Sequence, residues 1–323
     1  MRDAGARRRV LWSAAVIAAG LTAACGMERV DPQAPPEGVE AISLLGDTLW
    51  RPVFDSGTRA RLEANLERAR VALDAAPLDA DSMIWYGRRL AYLGRYRDAI
   101  EVFTAGVHAH PDDARFLRHR GHRYITTRKL ALATEDLARA AQLVTGQPDE
   151  VEPDGAPNAR GIPTSTLQSN IWYHLGLAHY LQGDFGRALG AYRECLSVSG
   201  NPDMLVATSH WLYMTLRRLG REAQAAAILE PIHGDMDIIE NQAYHRLLLM
   251  YKGGLTAESL LEPPEGSDDP SSAATVYGVG NWYLYNGDVE GASDVFRGLL
   301  EGSGWAAFGY IAAEAEVARW AER

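Results

Sequence analysis

Residues 170–196 read NIWYHLGLAHYLQGDFGRALGAYRECL. Two runs with apolar residues at three- and four-residue spacing flank a Gly183-Asp184 turn, which predicts two helices joined tightly. Gly176 on the first helix and Ala188 on the second stand twelve residues apart. Small side chains at both places let two helix backbones approach closely. Four residues beyond Ala188, Tyr192 supplies a large apolar knob.

The same marks recur along the chain. Gly87 pairs with Ala99 and the knob Phe103, Gly121 with Ala133 and Leu137, and Gly280 with Ala292 and Phe296. Tyr213 with Ala225 and Leu229, and His245 with Ala257 and Leu261, keep the spacing with a larger first member. Helical periodicity alone could imitate one such unit, but not six. With Trp172, Leu175, Gly176, Gly183, Phe185, Ala188 and Tyr192 in place, the stretch Ser169 to Pro202 resembles the tetratricopeptide repeat, a helix–turn–helix unit of about 34 residues. That resemblance implies an all-α fold, a right-handed α-solenoid of antiparallel helix pairs in which each pair packs only on its neighbours. The six repeats fall at about 80–113, 114–147, 169–202, 206–237, 238–266 and 273–306. Pro263-Pro264 cuts the second helix of the fifth repeat short. Gly57 to Ala76 and Trp305 to Trp320 predict capping helices at the two ends, so 57–323 reads as one elongated body.

Composition narrows the function. The net charge of -10 argues against a nucleic-acid binder, which needs a basic field. Only Lys129 and Lys252 are lysines, so the positive charge is almost all arginine, which suits forked recognition of carboxylates. Cys25 and Cys195 form no CxxC pair, which leaves no zinc or redox motif, and no disulfide is expected because the N-terminal leader uses Cys25.

The first residues read as an export leader. Arg7, Arg8 and Arg9 precede an apolar run from Val10 to Gly20, too short for a membrane span of about 20 apolar residues. Leu21-Thr22-Ala23-Ala24-Cys25 resembles the lipobox of bacterial lipoproteins. The likeness implies a signal peptide over 1–24, lipidation of Cys25, and anchoring to a cell-envelope membrane on its periplasmic or cell-surface face. Residues 25–56 then read as attachment site and tether, since Met27 to Glu40 is acidic and carries Pro32, Pro35 and Pro36.

The repeat resemblance also implies which first-helix positions line the concave wall: Arg88 and Tyr92; Arg115, Arg118 and His122; Tyr173 and Tyr180; His210, Met214 and Arg217; Tyr277 and Asn281. The expected groove is basic and aromatic, a surface for an acidic or C-terminal peptide segment of a partner protein. Some members of the family clamp a terminal carboxylate with lysine and asparagine; here Ile84 and Arg88 hold the two leading positions, a departure from that pattern. Residues 148–168 form an insertion between repeats two and three, acidic at Asp149, Glu150, Glu152 and Asp154. Its acidic half has the charge to fold back onto the groove as a lid or a brace.

No motif for chemistry accompanies these features. His108, His110, His119 and His122 lie among Arg115, Arg118, Arg120 and Arg123, which repel a cation, and no HExxH arrangement exists. No phosphate loop, nucleophile elbow or dinucleotide fingerprint is present, so no catalytic residue, metal or cofactor is expected. Cys195 reads as a packing residue. The expectation is therefore a lipid-anchored adaptor that binds a protein or peptide, with a module for an envelope glycan or small ligand as the alternative. The latter needs a deep aromatic pocket at Tyr173, Tyr180 and Tyr277.

Overall fold

The computed structural model describes residues 36–262 and 271–321; the leader and Cys25 lie outside them. A short antiparallel hairpin, β1 (Val39–Ile42) and β2 (Thr48–Trp50), opens the described chain. Fourteen helices follow among the described residues: α1 (Ser56–Ala75), α2 (Ala80–Tyr92), α3 (Tyr96–Ala109), α4 (Ala114–Thr126), α5 (Leu130–Val144), α6 (Leu167–Leu181) and α7 (Phe185–Ser197). After these come α8 (Pro202–Arg218), α9 (Glu222–Ile228), α10 (Gln242–Tyr251), α11 (Ala257–Leu261), α12 (Ser271–Tyr285), α13 (Val289–Leu300) and α14 (Phe308–Ala321). The all-α solenoid of helix pairs expected from the repeats is the fold observed. Each first helix packs on its second, and the first helices α2, α4, α6, α8, α10 and α12 touch in succession.

Local chemistry sets the helix ends. The side chains of Asp79, Asp113, Thr166 and Asn201 accept hydrogen bonds from first-turn amides of α2, α4, α6 and α8, satisfying donors that have no helical partner. Within the pairs, a left-handed residue turns the chain: Gly94, Gly183, Gly220, Gly253 and Gly287, but Arg128 between α4 and α5.

The small residue on each first helix has a more specific role than facing an alanine. A methyl group added at Gly87 would lie 2.5 Å from Phe103 Cε1, and one at Gly176 would lie 2.6 Å from Tyr192 Cε1. The corresponding distances are 2.7 Å from Gly121 to Leu137 and 2.5 Å from Gly280 to Phe296. Glycine thus admits the knob of its own second helix. In the fifth repeat the buried knob is Leu260, and Leu261 is only half-buried, because α11 has five residues and ends early.

Two expectations require correction. The span 25–56 is not all tether: Val39 of the hairpin is buried, and Ala41 and Leu49 are buried in one cluster with Met83, Leu90, Tyr96, Phe103 and Trp305. Glu40, also buried, pairs with Arg51 at 2.8 Å and accepts from the Arg97 amide at 3.0 Å. Nor is the concave side an open groove along its length. The helix α14 packs on α12, α13 and α6, and α12 reaches α8 as well as α10. The first helices show it: α6 is apolar around most of its surface, and both α6 and α8 bury side chains on nearly every face, including the polar Asp203, Thr208, Ser209, His210 and Thr215 of α8.

A basic cavity beneath the 148–168 strap

The first helices of repeats one and two place five cationic or imidazole side chains together. On α2, Arg88 and Tyr92 are one turn apart. On α4, Arg118 and His122 share one face, with His119 and Arg123 one position on. These faces meet around a cavity of about 120 Å³, floored by Phe103 and Ala91 and closed by Glu152 of the 148–168 insertion.

The polar contacts inside are incomplete. Arg88 donates to Tyr92 Oη at 3.3 Å and stacks over Trp85, its guanidinium 4.5 Å from the ring centre. Arg118 donates to His119 Nδ1 at 3.0 Å. Its Nε lies 2.9 Å from Glu152 Oε2 but makes no well-directed hydrogen bond there. Arg123 lies over the Tyr96 ring at 5.4 Å. Among the described residues, neither Arg88 nor Arg123 meets a carboxylate.

Burial lowers the Arg118 guanidinium, opposed by Glu152, and brings Arg123 down to about 10. Burial, reinforced by those arginines, holds His119, His122 and His174 well below the usual imidazole range. At neutral pH the histidines are uncharged and the guanidiniums are not. Three guanidiniums against one carboxylate leave excess positive charge in a site largely removed from water, and such charge is costly until it is paired.

The strap that closes the cavity is ordered by a few polar contacts. Glu152 N donates to Ser165 O at 3.2 Å, Leu167 N donates to Glu150 O at 2.9 Å, and Val151 bridges Thr166. Arg89 donates to Gly155 O at 2.9 Å, and Gly155 packs directly on the Tyr92 hydroxyl, leaving no room for a side chain. Beyond it, Arg160 pairs with Asp237 at 2.7 Å, and Thr164 donates to Glu240 at 2.6 Å. The insertion therefore ties repeats one and two to the junction of the fourth and fifth, and its acidic half does fold back onto an arginine.

The remaining expected wall residues are placed differently. Arg115 is half-exposed and forks onto Asp113 and Asp81. Tyr173 is buried with its hydroxyl 3.1 Å from that of Tyr244, at the edge of a cleft of about 310 Å³ that also meets Arg118, His122, Asn170 and Phe308. His122 sits between His174 and Phe308. Deeper in, Tyr180, His210, Met214, Tyr277 and Asn281 are completely buried. Tyr277 donates to Tyr180 Oη at 2.9 Å, His210 stacks on Tyr244, and Asn281 Oδ1 accepts from Arg218. These five are core, not groove. Arg217 donates to Asn286 Oδ1 at 2.8 Å and lies over Tyr285.

Arg123 and the pairing role of His119 escaped the wall assignment. Arg123 lies one position beyond His122, off the expected register, yet it lines the cavity. Phe308 and Tyr244 carry no signal for this cleft, since they reach it through tertiary closure. Among the described residues, no group of three or more His, Cys, Asp or Glu side chains is arranged to hold a metal, and no helix is long and apolar enough to cross a membrane.

Residues 169–202 match the family model described as tetratricopeptide repeat. Among solved structures, YrrB, described as a TPR protein with an unusual peptide-binding site, is 14% identical, with 73% of this chain and 92% of that chain covered and a TM-score of 0.41. MamA is 16% identical over 63% of this chain and 100% of that chain, with a TM-score of 0.41. Nearly identical TPR-like repeats from Podospora anserina are 15% identical over 70% and 94% of the two chains, again with a TM-score of 0.41. No curated protein matches the chain.

Proposed function

We propose that this tetratricopeptide-repeat solenoid is a non-catalytic scaffold that holds a partner protein by an acidic segment, in the basic cavity of repeats one and two. The carrying observation is that Arg88 and Arg123 line a shared cavity and neither pairs with a carboxylate among the described residues, while Arg118 has only Glu152 from the strap. Forked guanidiniums in a partly dry site recognise carboxylates more strongly than exposed pairs do. The lipobox-like Cys25 would tether the scaffold to a cell-envelope membrane, with the residues before the hairpin as spacer.

Capture of partners from membranes by the wild type and by Arg88→Gln/Arg123→Gln tests the site. Each lost charged hydrogen bond contributes about 1.5–3 kcal/mol, so capture of a discrete partner should fall at least about tenfold. Circular dichroism checks that the variant keeps its helices. Equal capture by both proteins would place the interaction elsewhere. The anchor has its own test: Cys25→Ser should move the chain from the membrane to the soluble fraction, and retention on membranes would contradict lipidation.

The alternative ligand, an envelope glycan or small molecule, would have to use the cleft at Tyr173, Tyr244 and Phe308, because Tyr180 and Tyr277 are sealed in the core. Binding of glycan fragments, lost in Tyr244→Ala and unaffected by Arg88→Gln/Arg123→Gln, would favour that reading.

A further inference from the structure

We infer that the acidic half of the strap, Asp149 to Gly155, is a built-in stand-in for the partner, so the partner is an extended acidic segment that enters by displacing it. This rests on the scaffold reading above and adds to it the shape of the ligand and the means by which the site is kept shut.

The stand-in is already seated as a bound peptide would be. Its backbone pairs antiparallel with residues 165–167 through a single bridge, flanked by the Glu152–Ser165 and Leu167–Glu150 hydrogen bonds. One side chain, Glu152, enters the basic cavity, where it meets Arg118 and accepts from Asn170 Nδ2 at 3.1 Å. One carbonyl, that of Gly155, is held by Arg89.

Two features mark it as replaceable. Val151 is 60% exposed, and Glu150 and Pro153 also face solvent, so lifting the segment uncovers little apolar surface of its own. It neutralises Arg118 alone and leaves Arg88 and Arg123 wanting. Its tethering at both ends acts the other way: the hold is intramolecular, so the strap keeps the site shut against weak competitors and a partner must overcome it by pairing more charge. A partner segment with two or more carboxylates would pair the arginines that Glu152 cannot reach, and would inherit the open backbone groups of 165–167. An acidic run is therefore favoured over a single terminal carboxylate.

The test uses the full chain and a labelled peptide of its own residues 147–157 as probe, read by fluorescence anisotropy. In one variant, residues 149–155 are replaced by a Gly/Ser segment of equal length; circular dichroism confirms its helices. A site occupied by its own strap shows an affinity reduced by the fraction of time it is open, so the variant should bind the peptide at least about tenfold tighter than the wild type. Adding Arg118→Gln to the variant, or changing Glu152 of the peptide to Gln, should abolish the gain. Equal binding to wild type and variant, or a gain that survives Arg118→Gln, overturns the inference. If the peptide fails while partner capture still depends on Arg88 and Arg123, the stand-in is wrong and the scaffold reading stands. If capture ignores those arginines, the scaffold reading fails at this site whatever the peptide does.

Discussion

Arg128 holds the left-handed turn position, φ 62°, that glycine holds in the other repeats' helix pairs. A side chain in that region costs about 1–2 kcal/mol, so the residue must be retained by what its side chain does. Its guanidinium, buried between α4 and the C-terminal cap, pairs with Glu314 at 2.6 Å and donates to Trp305 O at 2.8 Å. Glu314 is itself buried and also accepts from the Leu44 amide of the hairpin. Removing one member of such a pair costs about 3–5 kcal/mol, because the other charge is left buried alone. Arg128→Gly should therefore destabilise the chain despite relaxing the turn, by roughly 1–4 kcal/mol net, read from chemical denaturation. Cys195 makes a simpler case. Its thiol is buried beside Thr208 Oγ1 at 3.1 Å, and burial pushes it up to about 11. It should resist thiol reagents in the native chain and react only on unfolding; fast labelling of folded protein would contradict its place in the core.

At the scale of elements, α14 and the strap divide the concave wall between them. Helix α14 can approach α12 because Gly309 lies directly on the Ala273 backbone, where even a methyl group would collide with main-chain atoms that cannot move aside. Overpacking of this kind costs about 1–3 kcal/mol, so Gly309→Ala should lower stability by that amount and raise hydrogen exchange in α14 before the helices of repeats one and two. An unchanged exchange pattern would show that α14 is not held by this contact. The repeats themselves were legible from glycine, alanine and knob spacing, because each unit is set by contacts within some thirty residues. The sealing of the wall was harder to read. Its local sign is that α6 is apolar around most of its surface and α14 carries Gly309, Ala312, Ala313 and Ala315 where close packing is needed. What those faces pack against depends on how far the stack curls, which no single repeat encodes. That is why Tyr180, His210, Met214, Tyr277 and Asn281 read as groove residues from register and are core in three dimensions.

For the whole molecule, several histidines share one electrostatic fate. His119, His174 and His210 are buried, and burial depresses each, His210 to about 3. A histidine depressed in the folded state contributes its full stability above the unfolded value of about 6.5 and loses it as pH falls below that, since the unfolded chain then binds more protons. Thermal stability should thus decline below pH 6.5, with up to about 1.4 kcal/mol per pH unit for each such histidine until its folded value is reached. A melting temperature flat from pH 7 to 5 would contradict neutral burial of these rings. The basic end of the site was legible in part: Arg88, Arg118 and His122 follow from first-helix register, and the acidic insertion opposite them from its charge. Arg123 was not, because it lies one position off the first-helix register that marks the others. Site-specific photo-crosslinking in intact membranes tests the proposed interaction surface most directly, with the probe placed at Trp85, beside the cavity, or at exposed Leu132 on α5. A partner held at the strap cavity gives a discrete adduct from Trp85 and none from Leu132. An adduct from Leu132 with none from Trp85 would move the working surface to the outer helices and contradict the site.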